Sequence, residues 1–158
     1  MSKWAKGADR VAGLIEARHL QQVIADPDTE AALLASAHRH VGSARRTASR
    51  DPEAAYSLAY DAARKSATAL LSHQGLRPTT TGGHIAIVDV IRVQFPGVPG
   101  LSSLDRLRRR RNQAEYPDLR SYDPITREEA EDAIRVASDC LASTDRLLQL
   151  DELGIFRL

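Results

Sequence analysis

The stretch "PEAAYSLAYDAARKSATALLSHQG", Pro52 to Gly75, decides the fold. Its apolar and small residues recur at the three- and four-residue intervals of a helix. Ala55, Leu58, Ala59, Ala62, Ser66, Ala69 and Leu70 share one broad face. Because that face is built from small side chains, another helix can approach it closely. Asp51-Pro52 opens the segment with a capping acceptor and a proline that needs no N–H partner, and Gly75 is a natural stop. The spacing predicts a helix from Pro52 to about Gln74.

The same punctuation recurs on either side, at Asp26-Pro27 and Asp123-Pro124. The starts "DPDTEAA" and "DPEAA" share capping chemistry, which does not by itself make a repeat. Before the central helix the pattern predicts one helix from Asp9 to Ala25 and a second from about Asp28 to Ser49. The second carries Leu34, Ala37, Val41, Ala44 and Ala48 on a stripe and is weakened at Gly42. After it, "GLRPTTTGG" reads as a loop. A fourth helix follows from His84 to about Phe95, although Ile85, Val88, Val90, Ile91 and Val93 leave a strand open there. "PGVPGLSS" is a further loop, with Ser102 or Ser103 placed to cap a fifth helix, Leu104 to Glu115. Pro117 disfavours helical geometry at Tyr116. Thr126 and Glu129 have the spacing of a capping box at the head of a sixth helix, which runs to about Glu152. Its Ala130, Ala133, Ile134, Ala137, Leu141, Thr144 and Leu148 face inward. The expected architecture is an all-α bundle of five to six antiparallel helices, one domain over residues 1–158.

The totals agree with this reading. A hydrophobic fraction of 42% in 158 residues suffices for a core, and aromatics at 4% argue for helices over a sandwich or barrel. The net charge of +1 makes the whole molecule no general polyanion binder, so any nucleic-acid role has to come from local asymmetry. Leu101 to Tyr116 holds five arginines against two acids, and Thr126 to Glu152 holds three arginines against eight acids. These two segments are expected to pair with one another or to face water. One cysteine, Cys140, excludes an internal disulfide and a cysteine zinc site and fits a reducing cytoplasm. "MSKWAKGADR" has no apolar core for a signal peptide, and no apolar run is long enough to span a bilayer.

The chemistry is expected in "LDRLRRRRNQAEYPD", Leu104 to Asp118. Leu104, Leu107, Arg111 and Ala114 follow the seam spacing of a packed helix, which puts Arg111 where a core residue is expected. Arg108, Arg109 and Arg110 fall on the flanks or the back. A guanidinium on a seam needs a carboxylate, a phosphate or a shielding cleft, and it suits bidentate phosphate recognition. Pro117 frees Tyr116 to swing toward Arg111, with Asn112 one turn below. A helix C-terminus repels anions, so a phosphate here depends on the arginines outweighing the dipole.

"RRRRNQAEYPD" resembles the signature of HEPN domains: an arginine, usually a polar residue such as Asn, a few residues, then histidine. "YSLAYDAARKSATALLSHQGLRP", Tyr56 to Pro78, resembles the Ala-rich helix that those domains place before it. The resemblance covers Ala54 to about Leu148. It implies a helical, commonly dimeric protein that pairs two copies of the motif across a cleft. It further implies either a metal-independent endoribonuclease, often a toxin with a nucleotidyltransferase-type antitoxin, or a non-catalytic module binding nucleotide or protein. On this resemblance Arg111 binds phosphate and stabilises the transition state, and Asn112 orients. Tyr116 stands where the family's base is histidine. Arg108, Arg109 and Arg110 extend the RNA contact, and Asp61 corresponds to an acidic residue on the preceding helix. The resemblance implies no metal or cofactor. An ordinary tyrosine titrates near 10 and an ordinary histidine near 6.5, so a tyrosine is a poor base at neutral pH.

The remaining candidates read as structural. Asp61 with Lys65 one turn on has the spacing of a surface pair. His38 and His40 lie on different sides of one helix, and His19, His73 and His84 show no companions in the sequence. "TTTGGH" lacks a P-loop lysine. Arg45, Arg46 and Arg50 suit a solvated helix end, Cys140 suits the core, and the chain offers few aromatics for base stacking.

Overall fold

In the computed structural model, residues 4–116, 118, 120 and 122–157 are described. Pro117, expected to end the fifth helix, lies outside them. The architecture is all-α: among the described residues, a bundle of six helices with one two-stranded ribbon. The helices are α1 (Ala8–Glu16), α2 (Pro27–Thr47), α3 (Pro52–His73), α4 (Gly83–Gln94), α5 (Leu104–Glu115) and α6 (Arg127–Leu148). A 3-10 turn, Leu101–Ser103, leads into α5.

The central stretch behaves as its composition dictates. α3 buries eleven residues, among them Ala55, Ala59, Ala62, Ala63, Ala67 and Ala69, and packs on both α2 and α6. Asp26 and Asp51 cap α2 and α3 by accepting from the backbone N–H groups of Asp28 and Ala54. Thr126 and Glu129 form the expected capping box at α6. β-branched α4 is helical, because Ala86, Ile87, Val90 and Ile91 are all buried and so satisfy a helical rather than a two-residue period.

Several expectations need correction. The first helix ends at Glu16, not Ala25. Arg18 turns into the left-handed region (φ 61°) and the chain continues as the strand β1 (Leu20–Gln22). β1 pairs antiparallel with β2 (Leu76–Pro78), inside the segment expected to be loop. This register joins two short segments far apart in sequence, so neither carries a strand signal of its own. Neither Ser102 nor Ser103 caps α5 with its side chain, because the preceding 3-10 turn already supplies the entrance. The sixth helix stops at Leu148, four residues early, and the following segment folds back so that Phe156 N–H donates to the Gln74 carbonyl.

Two contacts hold the site's elements in place. Gln74 at the end of α3 and Gln94 at the end of α4 are fully buried and exchange two amide hydrogen bonds of 2.9 and 2.8 Å. Buried amides are stable only when paired in this way. The loop before α5 passes α6 at Gly100, while Ser143 Oγ–H donates to the Pro99 carbonyl at 2.8 Å.

Candidate functional site

α5 carries the arginines. Leu104, Leu107 and Ala114 are buried along its seam, as the spacing requires. Arg111 lies on the same stripe but is only half-buried, with 29% of its side chain exposed. The structure changes the reading of its neighbours. Arg109 alone faces solvent, at 71%, whereas Arg108 and Arg110 are more buried than Arg111, at 19% and 16%. Partners explain this. Arg108 and Arg109 both hold Asp105, at 2.9 and 2.8 Å. Arg110 forms a fork on Glu129 of α6, and Arg106 reaches Asp132 at 3.0 Å. The basic helix and the acidic helix therefore pair with each other. The hydrogen bond from Arg110 is the main reason the Glu129 carboxyl is held below its ordinary range.

Arg111 turns toward α3. Its guanidinium lies over the Tyr60 ring, 5.6 Å from the centroid, with Nη2 2.9 Å from Glu115 Oε1. A cation on an aromatic face is worth about 0.5–2 kcal/mol, more as water is excluded. Arg111 Nε and Arg64 Nε are both buried without a hydrogen-bond acceptor among the described residues. Asp61, beside Tyr60, is the hub of the adjoining network. It takes Arg64 at 2.5 Å, Lys65 at 3.1 Å and His40 Nδ1 at 3.0 Å. Lys65 also donates to Ser36 Oγ. The surface pair expected of Asp61 and Lys65 is thus one edge of a half-buried cluster joining α2 and α3. Burial opposes ionisation of Asp61, but hydrogen bonds and charge from Arg64 and Lys65 outweigh it and hold the carboxyl below its usual range.

Tyr60 has a second neighbour that the sequence did not disclose. Its Oη lies 3.0 Å from Nδ1 of His84, the second residue of α4. Burial pushes the Tyr60 phenol up, against the pull of Arg64, Arg111 and Arg108. Partial burial and then the charges of Arg64 and Arg111 hold His84 below the ordinary imidazole range, with Asp61 acting in the opposite direction. His84, expected to have no companions, therefore belongs with Tyr60, Arg64 and Arg111. The one local signal was the i, i+4 spacing of Tyr60 and Arg64, because the approach of α4 is a tertiary event.

Tyr116 faces elsewhere. Its backbone N–H donates to the Asn112 carbonyl, and its backbone leaves helical geometry (φ −123°, ψ 64°). Its side chain is 80% exposed, in an open cleft of about 390 Å³ shared with Arg110, Gln113, Asp118 and Asp123. Arg111 packs on Tyr60, while Tyr116, expected to swing toward Arg111, lines a cleft with Arg110. Asn112 is half-buried.

Two other histidines sit beside carboxylates. His73 bonds Glu30 and the Leu153 carbonyl, and His40 Nδ1 lies 3.0 Å from Asp61 Oδ2. Cys140 is buried, and burial pushes its thiol up to about 12. Arg45 and Arg46 donate to Ser138 and Ser43. Among the described residues, no group of three or more His, Cys, Asp or Glu is placed to hold a metal ion. No described helix is long and apolar enough to cross a membrane.

A family model described as "HEPN domain" matches residues 31–147, from α2 through nearly all of α6. No curated protein and no solved structure matches the chain.

Proposed function

The chain belongs to the HEPN domain family, and from that premise we propose that it acts on RNA as a metal-independent endoribonuclease of the toxin type, in a toxin–antitoxin or defence setting. The observation that carries this reading is Arg111. The motif arginine is half-buried on Tyr60 beside Arg64, and both guanidiniums keep a buried Nε–H without an acceptor. Two guanidiniums this close to one phenol favour an anion, and a planar fork suits a phosphate. Asn112 orients the phosphate, and Arg108, Arg109 and Arg110 extend the RNA track when they exchange their carboxylates for phosphates. The working unit is a homodimer in the cytoplasm, and a nucleotidyltransferase-type protein is the expected antitoxin.

A second reading has its own support. The flanking arginines are held by Asp105 and Glu129, and Tyr116 stands apart from Arg111. Both features suit a catalytically inactive module that binds a nucleotide or a partner protein.

One experiment separates the two. Purified protein and its Arg111→Ala variant are incubated with single-stranded RNA in EDTA. Cleavage that falls by roughly 10²–10³-fold in the variant, the usual effect of removing a group that stabilises developing charge, supports the nuclease. Intact RNA with wild type, together with RNA or nucleotide binding abolished by Arg111→Ala, supports the binding module.

A further inference from the structure

Metal-free cleavage of RNA requires a base for the 2′-hydroxyl proton, and a phenol in the motif's histidine position is a poor one at neutral pH. The described residues offer a better group. His84 is exposed, stands at the start of α4 and contacts Tyr60 through Nδ1 at 3.0 Å. The face of that same Tyr60 ring carries Arg111. The motif arginine and a histidine from outside the motif therefore share one buried phenol.

We propose, resting on the nuclease reading above, that His84 is the general base of this chain, with Tyr60 as its positioning residue and Arg111 and Arg64 as the phosphate-holding groups. The role uses the tautomer with hydrogen on Nδ1. Tyr60 Oη accepts that hydrogen, and Nε2 keeps a lone pair for substrate. Nε2 takes the 2′-hydroxyl proton while the 2′-oxygen bonds to phosphorus and the P–O5′ bond breaks. The departing O5′ takes a proton from water, and His84 later returns its proton to solvent. The products are a 2′,3′-cyclic phosphate and a 5′-hydroxyl.

The surroundings suit the task. Tyr60, Asp61 and Arg64 of α3 and Arg108 and Arg111 of α5 act on the ring, and His19 lies against the adjoining Gly82. The net effect holds His84 below the ordinary imidazole range. A bound phosphate offsets the arginines, so the ring becomes a stronger proton acceptor when substrate is present.

The test compares wild type, His84→Ala, His84→Gln, Tyr60→Phe and Tyr116→Phe on a mixed-sequence RNA in EDTA, with thermal unfolding of each as a fold control. His84→Ala and His84→Gln are expected to lose roughly 10²–10⁴-fold in cleavage rate while melting with wild type. Tyr116→Phe is expected to lose less than either His84 variant. The wild-type kcat/KM, which reports the free protein, falls on the acid side through a midpoint below 6.5, the ordinary histidine value. Tyr60→Phe shifts that midpoint, which a merely structural role would leave in place. Wild type that cleaves while His84→Ala cleaves equally overturns the assignment and leaves the nuclease reading standing. Loss confined to Tyr116→Phe overturns it in favour of the motif position. Wild type that leaves RNA intact removes both.

Discussion

At Gly100 a single missing side chain determines how α5 is delivered. The residue has φ 80°, and a Cβ there would lie 2.4 Å from the Cys140 backbone nitrogen and 2.8 Å from the Asp139 carbonyl carbon. Both obstacles are main chain of α6, which cannot rotate away. Gly100→Ala is therefore expected to destabilise the protein by about 1–3 kcal/mol, measured as a fall in the urea midpoint. Gly97, three residues earlier and also at positive φ (71°), has open space around it. Its alanine variant therefore pays only the backbone term and is expected to be milder. A Gly97→Ala loss as large as that of Gly100→Ala would sink the steric account. "PGVPGLSS" was legible as a loop, but nothing in it distinguishes the glycine that needs the space from the one that needs only the conformation.

The start of α6 shows one carboxylate serving two elements. Glu129 closes the capping box by accepting from Thr126 N–H at 2.9 Å, and it also holds Arg110 of α5. Glutamine retains the cap chemistry but not the charge pair, whereas alanine loses both. Glu129→Ala is expected to cost about 1–2 kcal/mol and Glu129→Gln less, since the pair is partly exposed. Chemical denaturation of both variants measures the split. The pH dependence follows from the depressed carboxyl. The folded value lies below the ordinary 4.5, so this contribution is present above the unfolded value and is lost as pH falls through the folded one. Glu129→Gln should therefore be less sensitive to acid than wild type over that range. The capping box could be read from the sequence because its partners are three residues apart. The bond to Arg110 joins residues in different helices and could not.

At the scale of the whole molecule, the Gln74–Gln94 pair ties the ends of α3 and α4 together, with the C-terminal segment bonded to the Gln74 carbonyl. Removing one amide leaves the other buried and under-paired, at about 1–3 kcal/mol, whereas replacing both by apolar groups of similar size removes the penalty. Gln94→Leu alone is therefore expected to be more destabilising than Gln74→Leu/Gln94→Leu. A double-mutant cycle in urea measures the coupling, and strictly additive losses would contradict it. On the proposed nuclease reading, Gln94→Leu is also expected to lower cleavage more than its stability loss alone explains, because α4 carries His84. This predicts a link between core pairing and the geometry at Tyr60.

What the sequence by itself determined is whatever depends on near neighbours along the chain. The all-α class, the extents of α2 through α5, the aspartate and threonine caps and the seam of α5 follow from 3.6-residue periodicity and from partners within one helical turn. Tertiary structure decided the rest, because it depends on groups brought together from distant parts of the chain. Only packing shows that the chain leaves the first helix after Glu16 so that β1 can meet β2, or that Arg110 is held by Glu129 of α6. The same holds for the cluster at the candidate site. Arg111 is placed by a seam legible within α5, but Tyr60, Arg64 and His84 become its neighbours only when α3 and α4 converge on it, and no local pattern encodes that convergence.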